Sequence, residues 1–163
     1  MKREQFQIVL TSFLREPQPY RHLYLWHGEE NDLASLLPPG RVLRLDLYEL
    51  AAGLTRQPHT QDEAHDVLQD ALQSRLRTWY QEDAETHPIL LVAGCPLIAR
   101  YRVSLQPFYN VLTAQTMVLL VTSAADTAYQ PAGRLPDYVR CDPGATLAYL
   151  GPLVEDDHIV EPG

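Results

Sequence analysis

The chain has 163 residues, of which 45% are apolar, and a formal net charge of −8 at neutral pH. This length is enough for one domain with a hydrophobic core. The negative charge argues against a broad nucleic-acid-binding surface, because phosphate contacts need cationic side chains. Almost all of the basic residues are arginines, and Lys2 is the only lysine.

No apolar run is long enough to cross a bilayer. The opening segment, MKREQFQIVL, lacks the apolar block and the small-residue cleavage site of a signal peptide. We therefore expect a cytoplasmic protein without membrane contacts. Cys95 and Cys141 lie far apart in the sequence. In a reducing compartment two buried thiols are favoured over a disulfide, which remains the alternative.

The first half of the chain alternates helical and strand-like segments. Apolar residues at helical spacing predict a helix over residues 3–15. HLYLW, residues 22–26, predicts the first strand, and a short helix capped by Asn31 follows it. RVLRL, residues 41–45, predicts a second strand, after which Asp46 caps a further helix.

The second half contains the most regular segments. Thr60 and Glu63 form a capping box in front of a long helix with one apolar stripe. The continuous apolar runs at 88–94 and 116–123 predict strands that are buried on both faces. A helix is predicted between them, over residues 106–113, with a proline in its first turn.

From about residue 124 the tail is rich in Pro and Gly and is predicted as a loop. ATLAYL, residues 145–150, predicts a last strand, and residues 154–163 predict an acidic, frayed end. Strands that alternate with helices predict one α/β domain over residues 1–163, a three-layer sandwich with a mostly parallel central sheet. Ligands of such folds bind at the carboxyl ends of the strands.

The loop after the first strand does not fit a phosphate loop. A Walker motif needs glycines for close backbone approach and a lysine for the phosphate charge. Here Gly28 is followed by EENDLASLL, whose carboxylates repel phosphate. The third strand ends in Ala93 and Gly94, where an acid would position magnesium. Arg41 and Arg44 are candidates to replace the lysine, but we do not expect ATP hydrolysis.

Other reactive side chains form no recognised motif. The segment HTQDEAHD, residues 59–66, lacks the spacing of a zincin helix and is predicted to be a solvated first turn. Cys95 is followed by Pro96, so we expect no helix amide directly behind the thiol to activate it. Ser123 lacks the flanking glycines of a hydrolase elbow. We predict no catalytic, cofactor-binding or metal-binding residue; a small hydrolase or nucleotide-dependent enzyme built on these side chains is the alternative.

RYRVSLQPFYN, residues 100–110, combines arginines with aromatic residues. Such a combination stacks nucleic-acid bases or anchors a protein partner. Arg100, Tyr101, Arg102 and Tyr109 are therefore the candidate contact residues. The alternative is that the aromatic rings pack in the core while the arginine stems lie along its surface.

The order of these segments carries a family resemblance. HLYLWHG is followed by VLRLDLYELAAGL and the long helix, and then by ILLVAGCPLIARYRVSLQPFYNVLT, TMVLLVTSAAD and AYQPAGRLPDYVR. Over about residues 20–140 this layout resembles the small accessory proteins of BREX phage-exclusion systems. It is similar to their small P-loop-type component and, as a second choice, to another accessory protein of these systems, on RLDLYELAAGL and LLVAGCPLIARYR.

The resemblance implies a degenerate P-loop NTPase-like fold, because the Walker lysine and the strand-end acid of that component are missing here. No catalytic residue is carried over, and no cofactor is expected. The implied function is that of a non-catalytic accessory component of a bacterial anti-phage defence system. Its implied partners are the larger subunits of the same system, with self-association as an additional option. Direct nucleic-acid contact through Arg100 and Arg102 stays an alternative.

Overall fold

The computed structural model describes residues 1–17, 19–123, 129–131, 138–140 and 143–163. The strands are β1 (His22–Trp26), β2 (Val42–Asp46), β3 (Ile89–Ala93), β4 (Met117–Val121), β5 (Tyr129–Pro131), β6 (Tyr138–Arg140) and β7 (Ile159–Val160). Five of them form an all-parallel sheet in the order β2-β3-β4-β1-β7, whereas β5 and β6 form an antiparallel pair. The predicted α/β class with a parallel sheet is confirmed.

The helices are α1 (Arg3–Arg15), α2 (Glu30–Ala34), α3 (Leu47–Ala52), α4 (Gln61–Thr78), α5 (Pro96–Arg100), α6 (Gln106–Tyr109) and α7 (Pro143–Leu150). Helix α4 continues into a π-helical turn, and short 3₁₀ turns precede β2 and β7. Helix α1 has the predicted bounds, but the helix predicted over 106–113 is reduced to the four residues of α6. None of the helices in the described ranges combines the length and the apolar character that a bilayer span requires.

The three inner strands are buried along their whole length. Every residue of β1, β3 and β4 is buried, as expected for strands that are covered on both faces. At the edge of the sheet, β2 buries only Leu45. Its polar residues, Arg44 and Asp46, therefore stay at least partly exposed near the carboxyl end of the sheet.

Two clusters of buried side chains lie on opposite faces of the sheet, because alternate residues of a strand point to opposite sides. Leu23 and Leu25 of β1 belong to the cluster that contains the buried stripe of α4. Tyr24 and Trp26 of the same strand belong to the cluster that contains the buried side of α1. The arrangement is therefore helix, sheet and helix in three layers.

Two predicted helix caps are present. The Asp46 carboxylate accepts a hydrogen bond from the backbone N–H of Tyr48 at 2.9 Å, and α3 begins there. Thr60 Oγ1 accepts from the backbone N–H of Glu63 at 3.1 Å at the start of α4. The Glu63 carboxylate accepts from the backbone N–H of His59 at 2.9 Å, one residue before the donor that a capping box uses.

Two local predictions are wrong. Asn31 does not cap the short helix, because α2 begins at Glu30 with Glu29 in the cap position. ATLAYL, predicted as a strand, lies in the helix α7. Its buried residues, Thr146 and Leu150, are four positions apart, which places both on one face of a helix.

The acidic end of the chain is not frayed, contrary to the prediction. Ile159 and Val160 form β7 and pair with Leu25 and Trp26 of β1. Two β-branched residues fit a sheet position well, and Val160 is fully buried. The acidic side chains before β7 stay largely exposed, so the strand is added without burying their charge.

Cys141 lies outside the described residues, as does most of the Pro- and Gly-rich segment that follows residue 123. The predictions for these residues stay predictions. Cys95 is fully buried.

Candidate functional site

The strand order creates a crevice at the carboxyl ends of β1 and β4. From β1 the chain crosses to β2 at one edge of the sheet, whereas beyond β4 it reaches β7 on the other side of β1. Neighbouring parallel strands whose connections leave in opposite directions open a crevice between them, and ligands of open α/β sheets bind there.

A pocket of about 360 Å³ occupies this position. Its walls come from the loops and residues at the carboxyl ends of β1, β2, β3 and β4, which supply Glu29, Glu30, Asn31, Arg44, Asp46, Tyr48, Ala93, Gly94, Val121 and Ser123. We call it the switch-point pocket. It is the place where a nucleotide phosphate would have to bind in a fold of this kind.

Packing explains why a glycine stands at position 28, after β1. A Cβ atom at this position would lie 2.9 Å from Cγ of Pro162 and 3.1 Å from Nε1 of Trp26. The same Trp26 Nε1 donates a hydrogen bond to the carbonyl of Glu29 at 3.0 Å. The glycine therefore lets the C-terminal tail and the indole ring close over the turn that a phosphate loop would need to keep open.

Side-chain hydrogen bonds tie the ends of β1 and β4 together. Ser123 Oγ donates to Oε2 of Glu29 at 3.0 Å. The backbone N–H of Thr122 donates to the carbonyl of Trp26 at 2.9 Å, and Thr122 Oγ1 donates to the same carbonyl at 3.3 Å. The described residues that line the pocket include no histidine that could serve as a base for Ser123. Among the described residues, the Ser123 hydroxyl is therefore held by a carboxylate and not by a histidine.

Arg44 is held by two carboxylates. Its Nε and Nη2 atoms donate to the two oxygens of Glu30 at 2.7 and 3.1 Å, and its Nη1 atom lies 3.6 Å from Oδ2 of Asp46. The hydrogen bond to Glu30 raises the pKa of the Arg44 guanidinium. This bidentate pair occupies the N–H donors that arginine would otherwise use to bind a phosphate.

The switch-point pocket is therefore acidic. Arg44 is the one basic side chain among the described lining residues, which also include Glu29, Glu30 and Asp46. Since Arg44 is already neutralised by Glu30 and Asp46, the field in the pocket repels a triphosphate and favours a cationic or neutral polar group.

The end of β3 leaves no room for the acid that positions magnesium in P-loop enzymes. Gly94 has a φ of +77°, and a Cβ at this position would lie 3.1 Å from the backbone nitrogens of Leu47 and Tyr48. The turn after β3 passes this close to the start of α3. The residue before Gly94 is Ala93, whose methyl side chain cannot bind a metal ion.

Arg41, the other predicted substitute for a Walker lysine, does not line the pocket. It lies in the 3₁₀ turn that leads into the amino end of β2. There it lines a separate pocket together with Tyr80 and Arg15. Of the two arginines considered from the sequence, only Arg44 lies at the carboxyl end of the sheet.

Cys95 is not accessible for nucleophilic chemistry. It is fully buried, and its Sγ donates to the carbonyl of Val92 at 3.6 Å. The helix α5 begins at Pro96 with Cys95 in its cap position, and Pro96 has no backbone N–H to offer the thiol. Burial keeps the thiol away from any substrate in solution.

The polar segment 59–66 serves the start of α4. Besides the caps from Thr60 and Glu63, the ring of His65 donates from Nδ1 to the carbonyl of Tyr101 at 2.8 Å. Asp62 and Asp66 are exposed. No three ligand atoms of this described segment lie within 4.8 Å of one another.

The predicted contact residues 100–109 divide between surface and core. Tyr101 is only 3% exposed, and the guanidinium carbon of Arg100 lies 5.2 Å from its ring centre. Tyr101 is thus a core residue and offers no surface to a partner. Arg102 is exposed, with a φ of 51°, and Tyr109 is half-buried.

Tyr109 is also engaged within the molecule. Its hydroxyl donates to the carbonyl of Leu153 at 2.9 Å, and the guanidinium carbon of Arg21 lies 5.8 Å from its ring centre. Burial raises the pKa of the Tyr109 hydroxyl. Arg102 is therefore the most accessible of the predicted contact residues.

Comparison with protein-family models, with curated proteins and with solved structures finds no match to this chain.

The sequence did not point to the pairs Ser123–Glu29 and Arg44–Glu30, which join positions 94 and 14 residues apart. The signal that could have found them is the strand order. Once β1 and β4 are neighbours, the polar residues after the two strands must meet at one edge.

Proposed function

We propose that this chain is a non-catalytic accessory component of a bacterial anti-phage system of the BREX type, and that it acts by binding the larger subunits of that system. In this proposal the chain is a degenerate P-loop NTPase-like protein that keeps the sheet and has lost nucleotide chemistry. The observation that carries it is the pairing of Arg44 with Glu30 and Asp46, which leaves the switch-point pocket with no available cation among its described residues.

The all-parallel sheet supports the P-loop-like part of the proposal. Its crevice lies after β1, where the phosphate loop of such a protein begins, and β3 and β4 end beside it. Packing of Pro162 over Gly28 and the contact of Gly94 with α3 use the two glycines of this edge for internal contacts. Both features support a protein that keeps the strand layout of a P-loop-like fold but does not bind a nucleotide.

Exposed apolar side chains support binding to a protein partner. Ile8 is 70% exposed and Tyr20 is 63% exposed, and the two residues line a common pocket beside α1. Exposed apolar residues that lie together are a common feature of interaction surfaces, whereas isolated ones need no explanation. Arg102 adds an exposed cation to a chain with a strongly negative net charge.

Co-expression of the tagged chain with the products of its neighbouring genes tests this proposal. We expect a complex of defined stoichiometry that survives size-exclusion chromatography. Elution of the chain alone, together with intact phage defence after its deletion, would contradict the proposal.

The contact residue is tested with a pair of variants. Arg102→Asn removes the charge while keeping a residue that tolerates positive φ. Arg77→Asn removes the same charge from an exposed position on α4. If Arg102 contacts the partner, only the first variant weakens capture, by about tenfold or more. Equal capture by both variants assigns the contact to another surface.

A further inference from the structure

Three potential metal ligands lie together beside β1, on the side away from β4. Glu155, Asp157 and His158 each present one ligand atom, and the three atoms lie within 4.8 Å of one another. Nε2 of His158 is 3.3 Å from Oε2 of Glu155 and 3.9 Å from Oδ1 of Asp157. Donors at about 2.1 Å from one tetrahedral metal ion are about 3.4 Å apart, so these atoms are close to coordinating distances.

His158 is already oriented as a ligand. Its Nδ1 lies 2.9 Å from the carbonyl oxygen of Leu23, which can only accept, so Nδ1 carries the proton. The ring is stacked on Tyr24 with the centres 4.4 Å apart, and the residue is buried. In the neutral ring the lone pair is therefore on Nε2, the atom that faces the two carboxylates. Metal-bound histidines are commonly fixed by the same hydrogen bond to a carbonyl.

A second, independent observation comes from a buried polar atom in the pocket that Asp157 and His158 line. His22 is only 1% exposed, and its Nε2 has no hydrogen-bond partner among the residues that the structure describes, although its Nδ1 lies 3.3 Å from the Tyr24 hydroxyl. His22, Tyr24, Asp157 and His158 line one pocket of about 410 Å³. An unpaired buried polar atom costs about 1–3 kcal/mol, so a polar occupant of this pocket would be stabilised there.

We propose that Glu155, Asp157 and His158 bind a divalent transition-metal ion of the zinc class. One imidazole nitrogen and two carboxylates form a donor set that zinc accepts, whereas magnesium and calcium prefer oxygen donors alone. Three protein ligands leave a further coordination position for water or another donor. The ion would cross-link the turn before β7, at a site separate from the switch-point pocket.

Calorimetric titration of Zn²⁺ into the full-length chain tests this site. We expect one ion per chain, and we expect millimolar Mg²⁺ not to compete. The double variant Glu155→Gln, Asp157→Asn should lower the affinity at least about tenfold, because it removes two charged ligands. Both carboxylates are exposed, at 60% and 83%, so the apo variant should unfold at the wild-type temperature.

Asp156→Asn is the matched control, since it removes one exposed carboxylate between the two proposed ligands. It should leave Zn²⁺ affinity within about twofold of the wild-type value. The visible absorption of bound Co²⁺ should be lost in the double variant and kept in the control. Absence of Zn²⁺ binding, full binding by the double variant, or an equal loss in the control would each overturn the proposal.

Discussion

His22 shows how burial changes the chemistry of a single residue. It occupies the first position of a strand that is buried on both faces. Burial, and after it the nearby His158, lowers the pKa of His22 to about 4. The rings of two further titratable residues, Tyr20 and Tyr24, also lie near the His22 ring.

This pKa predicts a loss of stability in acid. In the unfolded chain histidine gains a proton near pH 6.5, but folded His22 gains one only near pH 4. The unfolded state therefore binds more protons between these values, and stability falls as the pH is lowered through this window. We expect the lowered pKa of His22 alone to reduce the free energy of unfolding by about 2–3 kcal/mol between pH 7.5 and pH 4.5.

Urea unfolding at several pH values measures this loss. His22→Phe should remove most of the acid-dependent slope, whereas His59→Gln, at an exposed position, should keep it. An unchanged slope in the His22 variant would mean that other groups cause the acid sensitivity.

Gly94 is a residue whose backbone conformation matters for the site. Its φ is +77°, and an added Cβ would lie 3.1 Å from two backbone nitrogens of α3. Gly94→Ala should lower the free energy of unfolding by about 1–3 kcal/mol. Gly40→Ala is the control, since nothing lies within 4 Å of the added atom. Comparable losses in the two variants, measured by urea unfolding, would refute the steric argument.

At the scale of elements, α4 depends on its first cap. Thr60 Oγ1 accepts from the backbone N–H of Glu63, and this is an exposed hydrogen bond at the start of an 18-residue helix. Thr60→Ala should cost about 1 kcal/mol. Thr78→Ala, which removes only a bond to the carbonyl of Ser74 near the helix end, should cost less. Thermal unfolding compares the two variants, and the reverse order would contradict the assigned role.

The elements that the sequence predicted well are those with a continuous apolar run or a repeating apolar stripe. The runs that became β1, β3 and β4 are buried on both faces, and α4 buries one residue per turn over five turns including its π-helical continuation. By contrast, β7 has two residues, too few for any periodicity, and its burial depends on pairing with β1. The apolar run of α7 is compatible with a strand or a helix, because short apolar runs do not distinguish the two.

At the scale of the whole molecule, the strand order determines which polar residues meet. The sequence identified Gly28, Arg44 and the end of β3 as the positions to examine, and all of them line or border one crevice. It did not reveal that Glu30 binds Arg44 or that Pro162 covers Gly28. These contacts join residues far apart in the chain, and no local pattern encodes them.

In the proposed function, the switch-point pocket does not hold a nucleotide. Calorimetric titration of MgATP into the wild-type chain tests it most directly, with Tm measured at the same nucleotide concentrations. We predict no saturable heat and no rise in Tm up to about 1 mM MgATP, because Arg44 is bound by Glu30 and Asp46. Saturable binding with a Kd below about 100 µM, abolished by Arg44→Ala, would show that this pocket does hold a nucleotide.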